Sequence, residues 1–257
     1  MILRRLTHNL RTQNWTAITI ELFIVILGVF VGTQVSNWNA QRLEKRETQR
    51  MLAQLKPNLK SLTDYYTNAR AYYATTRRYA GAAFAGWRGD PRVNDADFVI
   101  AAYQASQIIG IGTNGSTWAT VLGADQLRRI DDLAIRSDLS FLMSADYTQL
   151  DIPSVNTPYR QNVRRLIPNG IQESIRARCG DVAPTRTDQL TFILPATCDL
   201  KIAPDQAAQA AAILRANPDL VRDLQWHMAA QSALLSNMRI FEVATEDLQG
   251  RIAGIKE

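Results

Sequence analysis

An uninterrupted apolar segment near the start of the chain constrains its fold more than any other feature. From Trp15 to Trp38 the sequence reads WTAITIELFIVILGVFVGTQVSNW, and residues 16–35 carry a single charge, Glu21. Twenty residues of α-helix extend about 30 Å, the thickness of a bilayer's hydrocarbon core, and tryptophan favours the two membrane interfaces. The run is longer than the apolar part of a cleavable signal peptide and no small-x-small cleavage motif follows it. We therefore predict a transmembrane signal anchor over residues 15–38.

The charges beside the anchor do not orient it. Three arginines precede it and four basic residues follow it closely, so the positive-inside rule favours neither direction. The cysteines are more informative, because Cys179 and Cys198 are the only two and 18 residues separate them. Such a pair predicts a disulfide and an oxidising compartment; two unrelated buried thiols are the alternative. We expect a short basic cytoplasmic tail at 1–14 and a periplasmic domain at 39–257.

Beyond the anchor, residues of one helix face recur every three or four positions. This first stripe comprises Leu52, Leu55, Leu59, Leu62, Tyr66, Ala69, Tyr73, Thr76 and Ala80. Pro57 falls inside it. Because proline removes one backbone hydrogen bond and crowds the preceding turn, we expect a kink or a restart of the helix near Lys56.

A second long helix is predicted at the other end of the chain, after the Asn-Pro-Asp start signal at 217–219. Its heptad stripe comprises Leu220, Leu224, His227, Gln231, Leu234, Met238, Phe241, Thr245, Leu248, Ile252 and Ile255. Two helices of similar length at the ends of a domain most simply pack antiparallel. Between them we expect shorter helices, with caps at Asn94, Ser116, Asp131 and Pro158, and one strand-like segment at 187–202. The predicted fold is mainly α: one transmembrane helix continuing into a helical, bundle-like extramembrane domain with long antiparallel helices.

Two segments resemble an uncharacterised family of bacterial single-pass membrane proteins, a domain of unknown function. ELFIVILGVFVGTQVSNWN, residues 21–39, is similar to its N-terminal anchor signature. TWATVLGADQLRRIDDLAIRSDLS, residues 117–140, resembles its second segment, a Thr-aromatic start followed by a small-residue break and a Leu-x-x-Ile lead-in. The family has no established activity. The resemblance implies a single-pass topology, which we combine with the cysteine pair to predict a bacterial inner-membrane location.

The segment GIGTNG, residues 110–115, has the glycine spacing of dinucleotide-binding loops. That fingerprint needs a preceding strand, a following helix and an acidic residue about 20 positions on, because the helix N-terminus binds the pyrophosphate and the acid binds ribose. Asp131 lies at a suitable distance. However, residues 95–109 have a helical pattern and no parallel sheet is indicated afterwards. We interpret GIGTNG as a turn between two helices, with Asn114 or Ser116 capping the second, and predict no cofactor.

Residues for catalysis or metal binding are few. The chain has two histidines, His8 in the tail and His227 on the second stripe. These are too few for a multi-histidine metal site, and they give little support to a catalytic triad. We interpret His227 as a polar residue of the core or of an interface. One acidic group comprises Asp90, Asn94, Asp95 and Asp97. It lacks the spacing of a calcium loop and fits a turn with a helix cap better. We predict no catalytic residue and no metal site.

Within the anchor, Gly28 and Gly32 form a G-x-x-x-G pair, at which another helix can approach closely. Glu21 is an intramembrane carboxylate, and such groups either snorkel to the interface or have a partner. We predict that these three residues contact another membrane helix. The basic residues after the anchor are predicted to lie at the membrane surface near anionic headgroups: Arg42, Lys45, Arg46 and Arg50.

The charge balance argues against nucleic-acid binding. Outside the tail and anchor, 26 Lys and Arg accompany 23 Asp and Glu, which is too even for a nucleic-acid binder. The expected partners are the anionic bilayer and another membrane protein or a second copy. We therefore expect a non-enzymatic periplasmic interaction or accessory subunit of an inner-membrane complex. A periplasmic sensor or ligand-binding module without its own output domain is the alternative, and an enzyme ranks third.

Overall fold

The computed structural model describes residues 15–110, 122–145, 157–182 and 192–254. These ranges contain eight helices: α1 Trp15–Trp87, α2 Asp95–Gln104, α3 Ala124–Arg128, α4 Leu133–Ser144, α5 Pro158–Leu166, α6 Asn169–Cys179, α7 Pro204–Arg215 and α8 Asp219–Ala253. Among the described residues the only β pairing is an isolated antiparallel bridge between Val182 and Ile193. The predicted mainly α class is therefore confirmed, whereas the strand-like segment at 187–202 forms no strand in its described part.

The chain divides into two compact units, with the boundary between Ala53 and Gln54. The described part of the first unit is entirely helical and begins at Trp15. Its apolar side chains face outward: Phe23 is 64% exposed and Phe30 is 60% exposed. By length and composition this helix is apolar enough to cross a membrane, with a mean hydropathy of 2.2 in its most apolar window. It is a candidate membrane anchor.

The expected restart of the helix at Pro57 does not occur. Helix α1 continues through Pro57 without interruption for 73 residues in all. A proline inside a helix leaves only one carbonyl without its usual amide donor. Leu55 and Leu59, on either side of it, are both completely buried, and their packing offsets that local loss.

Both predicted stripes are buried. Every member of the first stripe is buried, and so is every described member of the second. Within the second unit, three side-chain pairs join α1 to α8: Thr63 to Gln249, Arg70 to Glu242 and Thr76 to Gln231. The residue numbers rise along α1 as they fall along α8. The predicted antiparallel packing of the two long helices is thus confirmed.

The short helices begin at local capping signals. Asn94 accepts a 2.9 Å hydrogen bond from the backbone amide of Asp97 and caps α2 as predicted. The cap of α4 is Asp132, whose carboxylate accepts from two backbone amides, and not the predicted Asp131. The cap of α5 is Thr157 and not the predicted Pro158, which is the first residue of the helix, where its missing N–H leaves no helical bond unmade. The expected cap at Ser116 lies outside the described residues.

A close approach of two helices organises one end of the core. Gly86 on α1 faces the ring of Phe98 on α2, and a Cβ added at Gly86 would lie 2.1 Å from the Cδ2 atom of that ring. Trp87 packs edge-on against Phe98 with a centroid distance of 5.1 Å, and the Arg215 guanidinium lies 5.0 Å above the ring. Glycine at this position therefore allows α2 to pack against α1.

Candidate functional site

The three predicted contact residues of the anchor lie on one helix face. With 3.6 residues per turn, positions 21, 28 and 32 fall within about 40° of one another. A Cβ added at Gly28 or Gly32 would have no atom within 4 Å. We call Glu21, Gly28 and Gly32 the anchor face. It is open to the approach of another helix.

Glu21 is the polar member of the anchor face. Its Oε2 atom is buried but makes no hydrogen bond with any described group. An unsatisfied carboxylate oxygen is costly in an apolar environment unless a donor reaches it. The anchor face thus combines two positions without side chains and one unsatisfied acceptor.

The predicted membrane-surface residues follow the anchor as solvent-exposed side chains. Arg42, Lys45, Arg46 and Arg50 are all exposed. The Arg42 guanidinium lies 5.7 Å from the centre of the Trp38 ring, a cation–π arrangement that joins the interfacial tryptophan to the first of these cations. Their headgroup contacts stay a prediction.

The cysteine pair is confirmed as a disulfide. Cys179 and Cys198 are bonded, with their Cα atoms 5.4 Å apart. The bond joins the last residue of α6 to the segment before α7. The side-chain amide of Gln104, fully buried on α2, donates a 2.6 Å hydrogen bond to the Cys179 carbonyl. The disulfide is therefore fixed to the core through α2.

His227 is completely buried and joins three helices. Its Nδ1 lies 2.5 Å from the Thr157 hydroxyl beside α5, and its Nε2 lies 2.9 Å from the Gln231 amide nitrogen. Gln231 also lies 3.2 Å from the hydroxyl of Thr76 on α1. Burial lowers the pKa of His227 to about 4. At neutral pH the ring is uncharged, as the interpretation of a polar core residue requires.

The structure describes little of the GIGTNG segment. Only Gly110 of its six residues lies within the described ranges. The element before it is helix α2, which ends at Gln104, and the Gly110 carbonyl accepts a hydrogen bond from Tyr65. A dinucleotide loop follows a strand, so the observed helix removes that part of the fingerprint. Asp131, the candidate ribose ligand, is an exposed residue before α4.

The acidic group after α1 makes mostly local contacts. Arg92 pairs with both carboxylate oxygens of Asp90 and holds the pKa of that carboxyl at about 2. Asp97 accepts from the Asn94 side chain, and Asp95 lies 2.9 Å from Arg215. Over the described ranges, no three His, Cys, Asp or Glu side chains are grouped as metal ligands. The predicted turn and cap explain these residues.

A shallow polar cavity of about 260 Å³ lies between α5 and the start of α8. Asn162 donates a 2.8 Å hydrogen bond to Asp223 across it, and Asp219 pairs with Arg222. Three of its polar side chains, Asn162, Asp219 and Asp223, therefore have protein partners. We assign no ligand to it.

Two charged clusters were missed by the sequence analysis. Glu242, with only 6% of its side chain exposed, bridges Arg70 on α1 at 3.3 Å and Arg239 at 2.8 Å. Its position beside Phe241 on the buried stripe and its i,i+3 spacing from Arg239 are the signals that could have indicated this. The second cluster comprises Arg160, Arg164 and Arg176, which converge on the end of α2. No local sequence pattern brings these three together.

No protein-family model, curated protein or solved structure matches this chain. The resemblance of residues 21–39 and 117–140 to a bacterial membrane-protein family stays a prediction.

Proposed function

We propose that this protein is a single-pass, membrane-anchored and non-enzymatic accessory subunit, held in a bacterial inner-membrane complex through its anchor helix. The observation that carries the proposal is the anchor face. Two adjacent turns lack side chains at Gly28 and Gly32, and on the same face lies a Glu21 carboxylate oxygen that has no partner among the described residues. Small residues allow close helix contact, and a polar group in the bilayer gains most when another helix satisfies it.

The body of the protein is proposed to lie in the periplasm. The support is the Cys179–Cys198 disulfide, because such bonds persist in oxidising compartments and are rare in the bacterial cytosol. A fusion of a periplasm-dependent reporter after Glu257 is expected to be active. A reporter that works only in the cytoplasm would contradict this orientation.

The anchor face can be tested by adding bulk to it. The double variant Gly28→Ile/Gly32→Ile places two branched side chains on the face, whereas Phe30→Trp adds bulk two residues away, on the opposite side of the helix. The full-length protein would be purified in mild detergent, and its mass and copurifying proteins measured by light scattering and mass spectrometry.

We expect the wild type and Phe30→Trp to retain the same stoichiometric partner or self-associated mass. The double variant should lose it, since the two backbones can no longer approach. Equal behaviour of the double variant and the control would refute association through this face. A wild-type protein that is monomeric and free of partners would refute the accessory function itself.

The second candidate function is a periplasmic ligand-binding or sensing module without its own output domain. It is favoured by one observation, the convergence of three arginines in the body of the protein with no carboxylate within ion-pair distance among the described residues. A binding function for that cluster does not depend on the anchor face, and the two proposals can fail separately.

A further inference from the structure

Three arginines from two helices converge where α2 ends. Arg160 and Arg164 lie one turn apart on α5, and Arg176 lies in the last turn of α6. Arg160 donates a 2.7 Å hydrogen bond to the Ser106 carbonyl and Arg164 a 3.1 Å hydrogen bond to the Ser106 hydroxyl. We call Arg160, Arg164 and Arg176 the arginine cluster.

Tyr103 contacts both Arg176 and Arg164 and so places Arg176 beside the other arginines. The Arg176 guanidinium donates a 3.2 Å hydrogen bond to the Tyr103 hydroxyl, while the Arg164 guanidinium lies 4.8 Å above the Tyr103 ring. Arg164 also donates to the side-chain oxygen of Gln107 at 2.8 Å. All of these protein acceptors are neutral.

Within the described ranges, no ion pair balances the positive charge of the cluster. None of the three arginines lies within 4.0 Å of a carboxylate oxygen in the described part of the chain, although Asp181 is near enough to interact electrostatically with Arg160 and Arg164. Burial lowers the pKa of both of these guanidinium groups, and the mutual repulsion of the cluster lowers it further. Half-buried like charges are unfavourable unless an anion joins them.

Among the described residues, much of the donor capacity of the cluster is unused. A guanidinium group carries five N–H donors. Within the described ranges, Arg160 and Arg176 each donate one hydrogen bond and Arg164 donates two. The Arg160 contact satisfies the Ser106 carbonyl two residues after α2, but that contact does not require three cations in one place.

A buried hydroxyl with no hydrogen-bond partner among the described residues interacts electrostatically with two arginines of the cluster. Tyr72 on α1 is 1% exposed, and its hydroxyl makes no hydrogen bond with any described group. The same hydroxyl interacts electrostatically with Arg160, Arg164 and Asp181. Burial raises the pKa of Tyr72, so the hydroxyl keeps its proton and is available as a donor.

We propose that the arginine cluster, with the Tyr72 hydroxyl, binds the phosphate group of a small phosphate or phosphate monoester. Three arginines beside one aspartate leave a local charge that a dianion neutralises, and phosphate carries close to two negative charges at neutral pH. Its tetrahedral oxygens can accept from guanidinium groups that approach from different helices, an arrangement in which arginine is favoured over lysine. Arg176 is exposed, which gives the ligand a route from solvent.

The test uses full-length protein in detergent, in a phosphate-free buffer of constant ionic strength. Isothermal titration calorimetry with inorganic phosphate and with glycerol 3-phosphate measures binding by the wild type and by Arg176→Gln and Tyr72→Phe. Arg178→Gln is the matched control, because it removes an exposed arginine two residues along the same helix, which faces another direction.

We expect saturable binding of one phosphate by the wild type. Arg176→Gln should weaken it about tenfold or more, since a charge-assisted hydrogen bond is lost, and Arg178→Gln should leave it within about twofold. Tyr72→Phe should weaken binding without lowering the thermal unfolding temperature, because it removes a hydroxyl that has no protein partner. Weaker phosphate binding at an unchanged unfolding temperature would show that Tyr72 acts in ligand binding and not in stabilising the fold.

Other outcomes would overturn the assignment. No saturable phosphate binding, or equal weakening by Arg176→Gln and Arg178→Gln, would leave the cluster with a structural role only. Binding of succinate but not phosphate would assign a carboxylate ligand instead. Arg176-dependent binding to vesicles containing phosphatidic acid, with no binding of soluble phosphate, would identify a lipid headgroup as the source. The variant Gly28→Ile/Gly32→Ile should bind phosphate as the wild type does, whatever happens to its association.

Discussion

Acidification should destabilise this protein through one buried histidine. His227 has no exposed surface, and its two ring nitrogens face the Thr157 hydroxyl and the Gln231 amide. Its pKa is lowered to about 4, mainly by burial; the Ala105 backbone acts in the opposite direction and the Arg160 charge adds to the lowering. Protonation would place a positive charge in the core, where none of the described carboxylates acts on the ring.

The direction and size of the effect follow from linkage. In the unfolded chain His227 has an ordinary pKa near 6.5, so it binds a proton before the folded protein does. The histidine therefore leaves the free energy of unfolding at its full value above about pH 6.5, and this free energy falls as the pH drops towards about 4. At about 1.4 kcal/mol per pH unit, the loss is about 2 kcal/mol between pH 6.5 and pH 5, and about 3 kcal/mol by pH 4.

The assay is urea unfolding of the full-length protein in detergent, followed by circular dichroism between pH 7.5 and pH 5. Above pH 5 most carboxylates remain ionised, so the histidine accounts for most of the slope. His227→Gln should be less stable than the wild type at pH 7.5 but should lose little further stability down to pH 5. His8→Gln, which removes the other histidine, should keep the wild-type slope. A wild type whose stability is constant over this range, or a His227→Gln variant with the same slope, would refute the reasoning.

Two further predictions concern packing and covalent structure. Gly86→Ala should lower the free energy of unfolding by about 1–3 kcal/mol, because its Cβ would overlap the tightly packed ring of Phe98. The matched control is Gly81→Ala, whose Cβ would have no atom within 4 Å. This variant should raise the free energy of unfolding by up to about 1 kcal/mol. Chemical denaturation measures both, and equal shifts would contradict the close approach. Cys198→Ser should cost about 3 kcal/mol by removing the closed loop. Unreduced wild-type protein should yield the linked peptides in mass spectrometry, and two freely alkylated thiols would exclude the bond to Cys179.

Helical periodicity was the most informative signal in the sequence. The spacing of Leu55, Leu59 and Tyr66 predicted a buried face, and these side chains are completely buried. A helix presents residues three and four apart on one side, so a face of this kind is encoded within a few turns. The cap at Asn94 was predictable for the same reason, because its acceptor and donor are three residues apart.

Local rules failed where packing was stronger than a single residue's preference. Pro57 predicted a kink or a restart of the helix near Lys56, yet α1 continues without a restart, and residues on both sides of Pro57 are buried. A charged side chain such as Glu242 is expected to face solvent. It is buried instead, because ion pairs with arginines on α1 and α8 stabilise its charge. The burial of Glu242 depends in part on Arg70, a partner distant in sequence.

The sequence by itself determined the apolar anchor, the two long helices and the candidate cysteine pair, because each is a property of composition or of spacing within one segment. Only the tertiary structure brought Tyr72, Tyr103, Arg164 and Arg176 to one place from four helices. Arginines on short helices have the same local pattern whether they face water or one another. What distinguishes them is the direction in which each helix packs, and that is fixed by contacts such as the one between Gly86 and Phe98, residues that meet only when the chain folds.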